Sequence, residues 1–505
     1  MMHLDGESLT LEQLSAIADN LEPVSLSPEA ARRVDAARRV VDEKAAGGAA
    51  VYGINTGFGA LAETAIPRGQ LGALQLNLLR SHAAGVGAPL PVRAVRASMA
   101  LRANVLAKGY SGIRRGTLEL LLELLNRGVH PVVPSRGSVG ASGDLAPLAH
   151  LALVLVGEGF AAVHNSPIVS GAAALRQAGL SPITLEPKEG LALINGTQPS
   201  TAIAALALVG AEQVARAADI TAALSIDALR GSMGPFDPRI HEARPHRGQG
   251  TSAANILALL QGSAINQSHA DCSRVQDAYS LRCAAQVHGA ARDALQFVRQ
   301  TLAVEANAAT DNPMVFAADG DIVSGGNFHG APIAIAADLL TIAVVQFATI
   351  SERRADRLVN PALSELPAFL TTASGLQSGY MIAQVTAAAL TSELKTLAHP
   401  ASVDTIPTSA NKEDHVSMSM GAALKAGDAV EHAARVVAVE ALCACQAIDL
   451  LAPLETSAQL RRAHAFVRAI APTLTVDRPP APDIEGIAAA ILTGAFGRAC
   501  GVEVK

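Results

Sequence analysis

From about residue 252 to residue 455 the chain reads as one helical run after another, interrupted at 310–330, 360–375 and 400–412. A further long helix is expected over roughly residues 199–230. These runs are dominated by Ala and Leu, which lose little on entering a helix. They carry few charges: charged residues are 17% of the whole chain and hydrophobic residues 50%. Long apolar helices of this kind cannot be soluble alone, so they must bury one another. The expected fold is all-α, with a long central helical bundle and an oligomer built around it.

With 505 residues there is room for two or three subdomains. The expected divisions are an N-terminal region over 1–198, the central bundle over 199–455, and a small helical end over 456–505 with a break at Arg478-Pro479-Pro480-Ala481-Pro482. A net charge of -6 argues against a nucleic-acid partner. Five cysteines (Cys272, Cys283, Cys443, Cys445, Cys500) form no C-x-x-C spacing. Neither a disulfide framework nor a zinc site is expected, and a reducing cytoplasm fits. Cys443 and Cys445 lie on one apolar stretch and read as buried, inert thiols. The fourteen His residues show no H-E-x-x-H pairing, so no metal is expected. The first residues lack a basic and then apolar leader. The apolar run Leu145–Gly157 contains His150 and is too short to span a bilayer, so no membrane helix is expected.

Residues 8–50 read as two helices. Ser8 and Thr10 are candidate caps for the first, and Pro28 opens the second. Arg32, Arg33, Arg38 and Arg39 read as a solvated face of that second helix. In Val51-Tyr52-Gly53-Ile54-Asn55-Thr56-Gly57-Phe58-Gly59, three glycines break any regular element, leaving a loop that presents Tyr52. Residues 70–128 return to helical periodicity. A buried helix is expected from Leu145 to about Gly159, then irregular chain with a short hairpin over 160–190.

The run Gly137-Ser138-Val139-Gly140-Ala141-Ser142-Gly143-Asp144-Leu145-Ala146-Pro147-Leu148 holds the most unusual chemistry. The amide nitrogen of Gly143 could attack the carbonyl carbon of Ala141, because glycine leaves that nitrogen open and tolerates a strained turn. Loss of one water from the ring and of the Ser142 hydroxyl as a second would leave an electrophilic methylidene. The plainer alternative is a glycine-rich loop feeding the next helix. A P-loop is excluded because no Lys follows Gly143, and a nucleophile elbow because Asp144 replaces its second glycine.

Other candidates each carry a plain alternative. Tyr279 and Arg282, three apart, would share a helix face, and an Arg fork suits a substrate carboxylate; a core tyrosine and a surface charge are the alternatives. Asn195-Gly196, Asp311-Asn312-Pro313 and Gly325-Gly326-Asn327 are turn signals, the last presenting Phe328 and His329. Ser409-Ala410-Asn411-Lys412-Glu413-Asp414-His415 reads either as the cap of the following helix or as the seat of an acid/base or orienting carboxylate at Glu413.

The run "GSVGASGDLAPLAH" resembles the signature of the histidine, phenylalanine and tyrosine ammonia-lyase family, and "VYGINTGFG", "INGTQ", "QDAYSLRC", "TDNP" and "GGNFHG" resemble further family motifs along nearly the full chain. The resemblance implies an all-α homotetramer with active sites shared between chains. It implies that Ala141-Ser142-Gly143 becomes 4-methylidene-imidazol-5-one (MIO), with no external cofactor. Tyr52 would be the general base, with Tyr279 and Glu413 also catalytic. Asn195, Gln276 and Phe328 would surround the MIO and substrate, and Arg282 would bind the substrate carboxylate. Ser81-His82, Glu413 and Met381 resemble the histidine-type branch, which implies deamination of L-histidine to trans-urocanate and ammonia. A tyrosine or phenylalanine ammonia-lyase or a 2,3-aminomutase would use the same MIO. Lys412, Ala278, Ala285 and His288 depart from the histidine-type pattern. A helical scaffold with a decayed site is disfavoured because Tyr52, Ser142, Asn195 and Arg282 are all present. The signature of the fumarase/aspartase-type lyases is not found.

Overall fold

A computed structural model describes residues 1–47, 50–57, 59, 63–269, 275–501 and 504. Cys272 and Phe58 lie outside the described residues. The fold is all-α, with a few short strands of two to four residues. Two compact units are present: one gathers 1–206, 299–337 and 400–424, the other 207–298, 338–399 and 425–505.

The first unit is built around the Val92–Ala107 helix, in which every residue from Ala94 to Ala107 is buried. Leu11–Asp19 packs on it and starts where the sequence signals a start. Thr10 Oγ1 accepts from Gln13 N at 3.1 Å, and the Gln13 side chain accepts from Thr10 N at 2.9 Å. This reciprocal pair satisfies two amides that the helix end would otherwise leave bare. Ser27 caps Pro28–Ala46 with a single bond, its hydroxyl accepting from Ala30 N at 3.1 Å. Two arginines on the central helix are almost fully buried. Arg96 donates to Ile17 O and Leu125 O, carbonyls in the last turns of two neighbouring helices. A cation there satisfies open carbonyls and complements the helix dipole.

One expectation fails on the Pro28–Ala46 helix. Arg38 is buried rather than solvated. Its Nη1 donates to Pro187 O at 3.0 Å and Gly112 O at 3.3 Å, and its Nε to Asp42 Oδ1 at 2.8 Å. The long side chain reaches inward to carbonyls that periodicity alone cannot reveal. Farther along, Phe160–Val163 pairs antiparallel with both Val129–Pro131 and Val169–Ser170, which accounts for the short hairpin.

The second unit takes residues 207–228 of the Gln198–Ala228 helix, with Arg247–Leu260, Met381–Leu397 and most of Ser419–Leu450. Every residue from Val436 to Ile448 is buried. The stretch 261–283, expected as helix, instead holds two four-residue helices among its described residues, Ala264–Gln267 and Tyr279–Arg282. Cys443 and Cys445 are buried, and burial pushes the Cys445 thiol up to about 12. Gln198–Ala228 and Ala331–Val359 are long and apolar enough to cross a bilayer by length and composition, yet 67% and 72% of their most apolar windows are buried within the protein.

Two buried carboxylates in this unit each gather several donors. Glu440 and Arg354 side chains are both 0% exposed. Arg354 grips Glu440 with Nε and Nη2, and Ser225 Oγ and Thr221 Oγ1 donate to the same carboxylate at 2.7 and 3.1 Å. Asp219 receives His288 Nδ1 at 2.7 Å, Arg292 Nη2 at 2.6 Å and Asn255 Nδ2 at 2.9 Å. Burial alone would raise the Asp219 pKa; the Arg292 charge and the His288 and Asn255 bonds reverse it and hold the carboxyl well below its usual range. Removing one partner of such a pair strands the other. Arg354→Met is therefore expected to cost about 3–5 kcal/mol, read as a lower urea midpoint. The double variant Arg354→Met/Glu440→Leu should recover most of that loss. A single variant as stable as wild type would show that the pair is not holding a buried charge.

Candidate active site

The Ala141-Ser142-Gly143 loop is held at both flanks. Gly140 (φ +67°) and Gly143 (φ +70°) bracket it in the left-handed region, where glycine is at ease. Beyond the loop, Asp144 N donates to Gly196 O at 2.8 Å. The Asp144 carboxylate accepts from Ser138 Oγ at 2.7 Å and from Ser200 N at 2.8 Å. Ser200 N is one of the open amides of the first turn of Gln198–Ala228, where a carboxylate belongs. Burial nonetheless pushes the Asp144 pKa up, outweighing the Ser138 and Ser200 bonds. A Cβ at position 143 would stand 2.1 Å from Gly196 O. Glycine is therefore required there by the wall opposite as well as by φ.

That wall is fixed from behind. Arg102, fully buried, donates to Asn195 O at 2.9 Å, to Gln198 Oε1 at 2.7 Å and to Ala192 O. Burial lowers its pKa to about 10, against the pull of Asp311. The Asn195 amide donates to Asn312 O at 2.9 Å and Asp311 Oδ1 at 3.3 Å. Asp311 is paired in turn with the buried Lys188 ammonium at 3.2 Å. Arg102 and Lys188 were not singled out in the sequence. Their only signal is a cation inside a segment otherwise fit for a core.

Glu413 comes from an unusual turn. Ser409, Ala410 and Asn411 all have positive φ, at 52°, 55° and 63°. Left-handed backbone costs a non-glycine residue roughly 1–2 kcal/mol each. Thr408 and Glu413 close the turn with paired backbone bonds of 3.0 and 3.4 Å, and Thr408 Oγ1 donates to Glu413 Oε2 at 2.6 Å. The segment is thus not the cap of the next helix, which starts only at Ser419. It delivers a carboxylate whose Oε1 accepts from Ser142 Oγ at 2.8 Å.

Two more expected residues feel that carboxylate. Burial raises the Tyr52 pKa; the Gly59 amide opposes this and the Glu413 charge adds to it. His82 is shifted downward by burial, which outweighs its bond to Leu78 O and the Glu413 charge. His82 Nδ1 lies 2.9 Å from Leu78 O. A carbonyl only accepts, so Nδ1 carries the proton and Nε2 keeps the lone pair. Ser81 Oγ also donates to Leu78 O, at 3.1 Å. Phe328 is half-buried in the turn closed by His329 N on Gly326 O, two residues before Gly330, whose amide donates to Gly140 O.

Tyr52, His82, Ser142, Asn195 and Glu413 are therefore brought together within the first unit. Gln276, Tyr279, Arg282 and Met381 belong to the second. There Tyr279 is 68% exposed, and the Arg282 guanidinium carbon lies 4.7 Å from its ring centroid. Arg282 Nε is buried without a hydrogen-bond partner among the described residues. Met381 opens the Met381–Leu397 helix, and Gln276 is exposed ahead of Tyr279–Arg282. Ala278 has φ -63°, a value proline itself would hold, so this departure leaves the backbone unchanged. Among the described residues no group of three or more His, Cys, Asp or Glu could hold a metal ion.

Residues 9–469 match the family described as aromatic amino acid lyase. A histidine ammonia-lyase of Anaeromyxobacter dehalogenans is 57% identical over 501 residues, covering 98% of this chain and 99% of the relative. The crystal structure of histidine ammonia-lyase from Trypanosoma cruzi superposes with a TM-score of 0.92 at 47% identity, covering 99% of this chain and 95% of that one. The tyrosine aminomutase of Streptomyces globisporus gives 0.93 at 39% identity, covering 99% and 98%. The chain belongs to the aromatic amino acid lyase family and is a carbon–nitrogen lyase.

Proposed function

We propose that the chain deaminates L-histidine to trans-urocanate and ammonia. The observation that carries this reading is the meeting of Ser142, Glu413 and a neutral His82 at one site. Support also comes from the names of its relatives at 57% and 47% identity. The Ala141-Ser142-Gly143 loop fits MIO formation: Gly140 just before it and Gly143 at its end are left-handed, and position 143 has room for glycine alone. When formed, the ring supplies an electrophile at the former Ser142 Cβ that draws electrons from the substrate nitrogen.

The chain's own residues do the rest. Tyr52 takes the β-proton. His82 Nε2 accepts from the imidazole N–H, and Glu413 holds the other side of that ring. Arg282 binds the carboxylate with its fork, with Tyr279, Gln276, Phe328 and Met381 lining the pocket and Asn195 at the MIO edge. We infer a cytoplasmic homotetramer with sites shared between chains. Exposed Tyr279, Val275 (95%), Phe297 (50%) and Ile382 (60%) on the second unit are supporting features, since such surface is normally covered.

Three measurements test this. Incubation with histidine, tyrosine and phenylalanine separately should yield urocanate alone; coumarate or cinnamate would keep the lyase and move the substrate. Tyr52→Phe should lower kcat by about a thousandfold, the scale of a lost general base; a few-fold loss would remove Tyr52 from that role. The third is a pH profile. Tyrosine is a base only when ionised, and the surroundings of Tyr52 raise its pKa. The active fraction therefore grows as pH rises, and kcat/KM should climb from neutrality into the alkaline range. His82, shifted downward, stays neutral throughout that range. A profile that falls above neutrality would contradict both assignments.

A further inference from the structure

The residues just before the Ser419–Leu450 helix reach back to the chain that precedes Ala141. Met418 N donates to Val139 O at 2.8 Å. Ser417 Oγ donates to Gly140 O at 2.9 Å, and Gly330 N donates to the same oxygen at 3.2 Å. The second contact of the Ser417 hydroxyl settles its direction. Ser419 N donates to Ser417 Oγ at 3.2 Å. One lone pair is thereby used, and the hydroxyl proton is left for Gly140 O, which can only accept.

The fit is close. Ser417 is 4% exposed and Ser419 0%. A Cβ on Gly140 would stand 2.3 Å from both hydroxyl oxygens, and one on Gly330 2.4 Å from Ser419 Oγ. Gly140 O belongs to the peptide whose nitrogen is that of Ala141. Two bonds on that oxygen fix the peptide plane, and so limit which way the next carbonyl, that of Ala141, can face. At the other end Asp144 N is fixed on Gly196 O. Three residues are left to turn between two held points.

We propose that Ser417 is a positioning residue for self-modification of the loop, holding the Gly140 carbonyl so that the Ala141 carbonyl carbon faces the Gly143 nitrogen. This rests on the reading that Ala141-Ser142-Gly143 cyclises. The chemistry balances without a redox partner. A bond forms from Gly143 N to the Ala141 carbonyl carbon. The Ala141 oxygen leaves as water with the protons of Gly143 N and Ser142 N. The Ser142 Cα proton and Cβ hydroxyl leave as a second water, giving the exocyclic double bond. Ser417 touches none of these atoms. It acts on the starting geometry alone, so it should govern how fast the loop matures and not how fast a matured site turns over.

The test follows maturation directly. Wild type, Ser417→Ala and Ser417→Cys would be synthesised in a cell-free system and denatured at intervals. Mass spectrometry of the peptide holding residues 137–148 then gives the fraction lighter by two waters. Ser417→Ala should mature about fivefold to tenfold more slowly, the scale of one hydrogen bond. Turnover per matured chain should stay at the wild-type value. Ser417→Cys, similar in shape but a weak donor, should also mature slowly. Wild-type maturation rates in both variants would overturn the proposal. So would an equal fall in turnover per matured chain, since that marks a general structural role. No loss of water in wild type would overturn the cyclisation reading itself, and the proposal with it.

Discussion

The Arg102 guanidinium is the point on which the first unit's site depends. It is a buried cation bonded to backbone carbonyls and an amide oxygen rather than to a carboxylate. Bonds of that kind are directional, so they fix the turn at Asn195-Gly196 as a shape and not merely as a charge balance. Gly196 then forms the wall against Gly143, and its carbonyl receives Asp144 N. A buried arginine thus sets where the Ala141-Ser142-Gly143 loop can lie. The Asn195 side chain is held differently, by Asp311, whose charge is balanced by the buried Lys188.

Much of this was legible in the sequence because local rules dominate it. Thr10 and Ser27 cap helices as their types require, and the long Ala- and Leu-rich runs are helices. Ser142, Glu413 and Tyr52 could be singled out from the stretches that hold them, whereas His82 was reached only through the family resemblance. What stayed hidden depends on partners far along the chain. Arg38 looks like its exposed neighbours until Gly112 and Pro187 supply carbonyls. The left-handed run Ser409-Ala410-Asn411 has no glycine to announce it and exists because Thr408 and Glu413 close it. The assembly of each unit from three separated segments is equally unreadable, since periodicity shows which face is apolar but not what covers it.

The two units use buried charge differently. In the second, Glu440 and Asp219 each gather several donors, and no catalytic geometry is attached to either. Such networks are weak sources of net stability, because desolvation offsets most of the attraction. They do penalise any sliding of one helix along another, since a shifted register would leave a bare charge in a low-dielectric interior. His288, which departs from the histidine-type pattern, is part of this arrangement through Asp219. In the first unit Arg102 and the Lys188–Asp311 pair hold loops instead, and Arg96 holds helix ends.

The close approach of Gly143 and Gly196 bears on where such a loop can be accommodated. A Cβ at 196 would stand 2.5 Å from both Arg102 Nη1 and Gln198 Oε1, and one at 143 would strike Gly196 itself. The three layers fit only as a set. A graft of those three residues onto another helical protein would therefore carry the letters without the enclosure. The smallest transferable unit is a pair of loops and the arginine behind them, nearly a hundred residues apart in the chain.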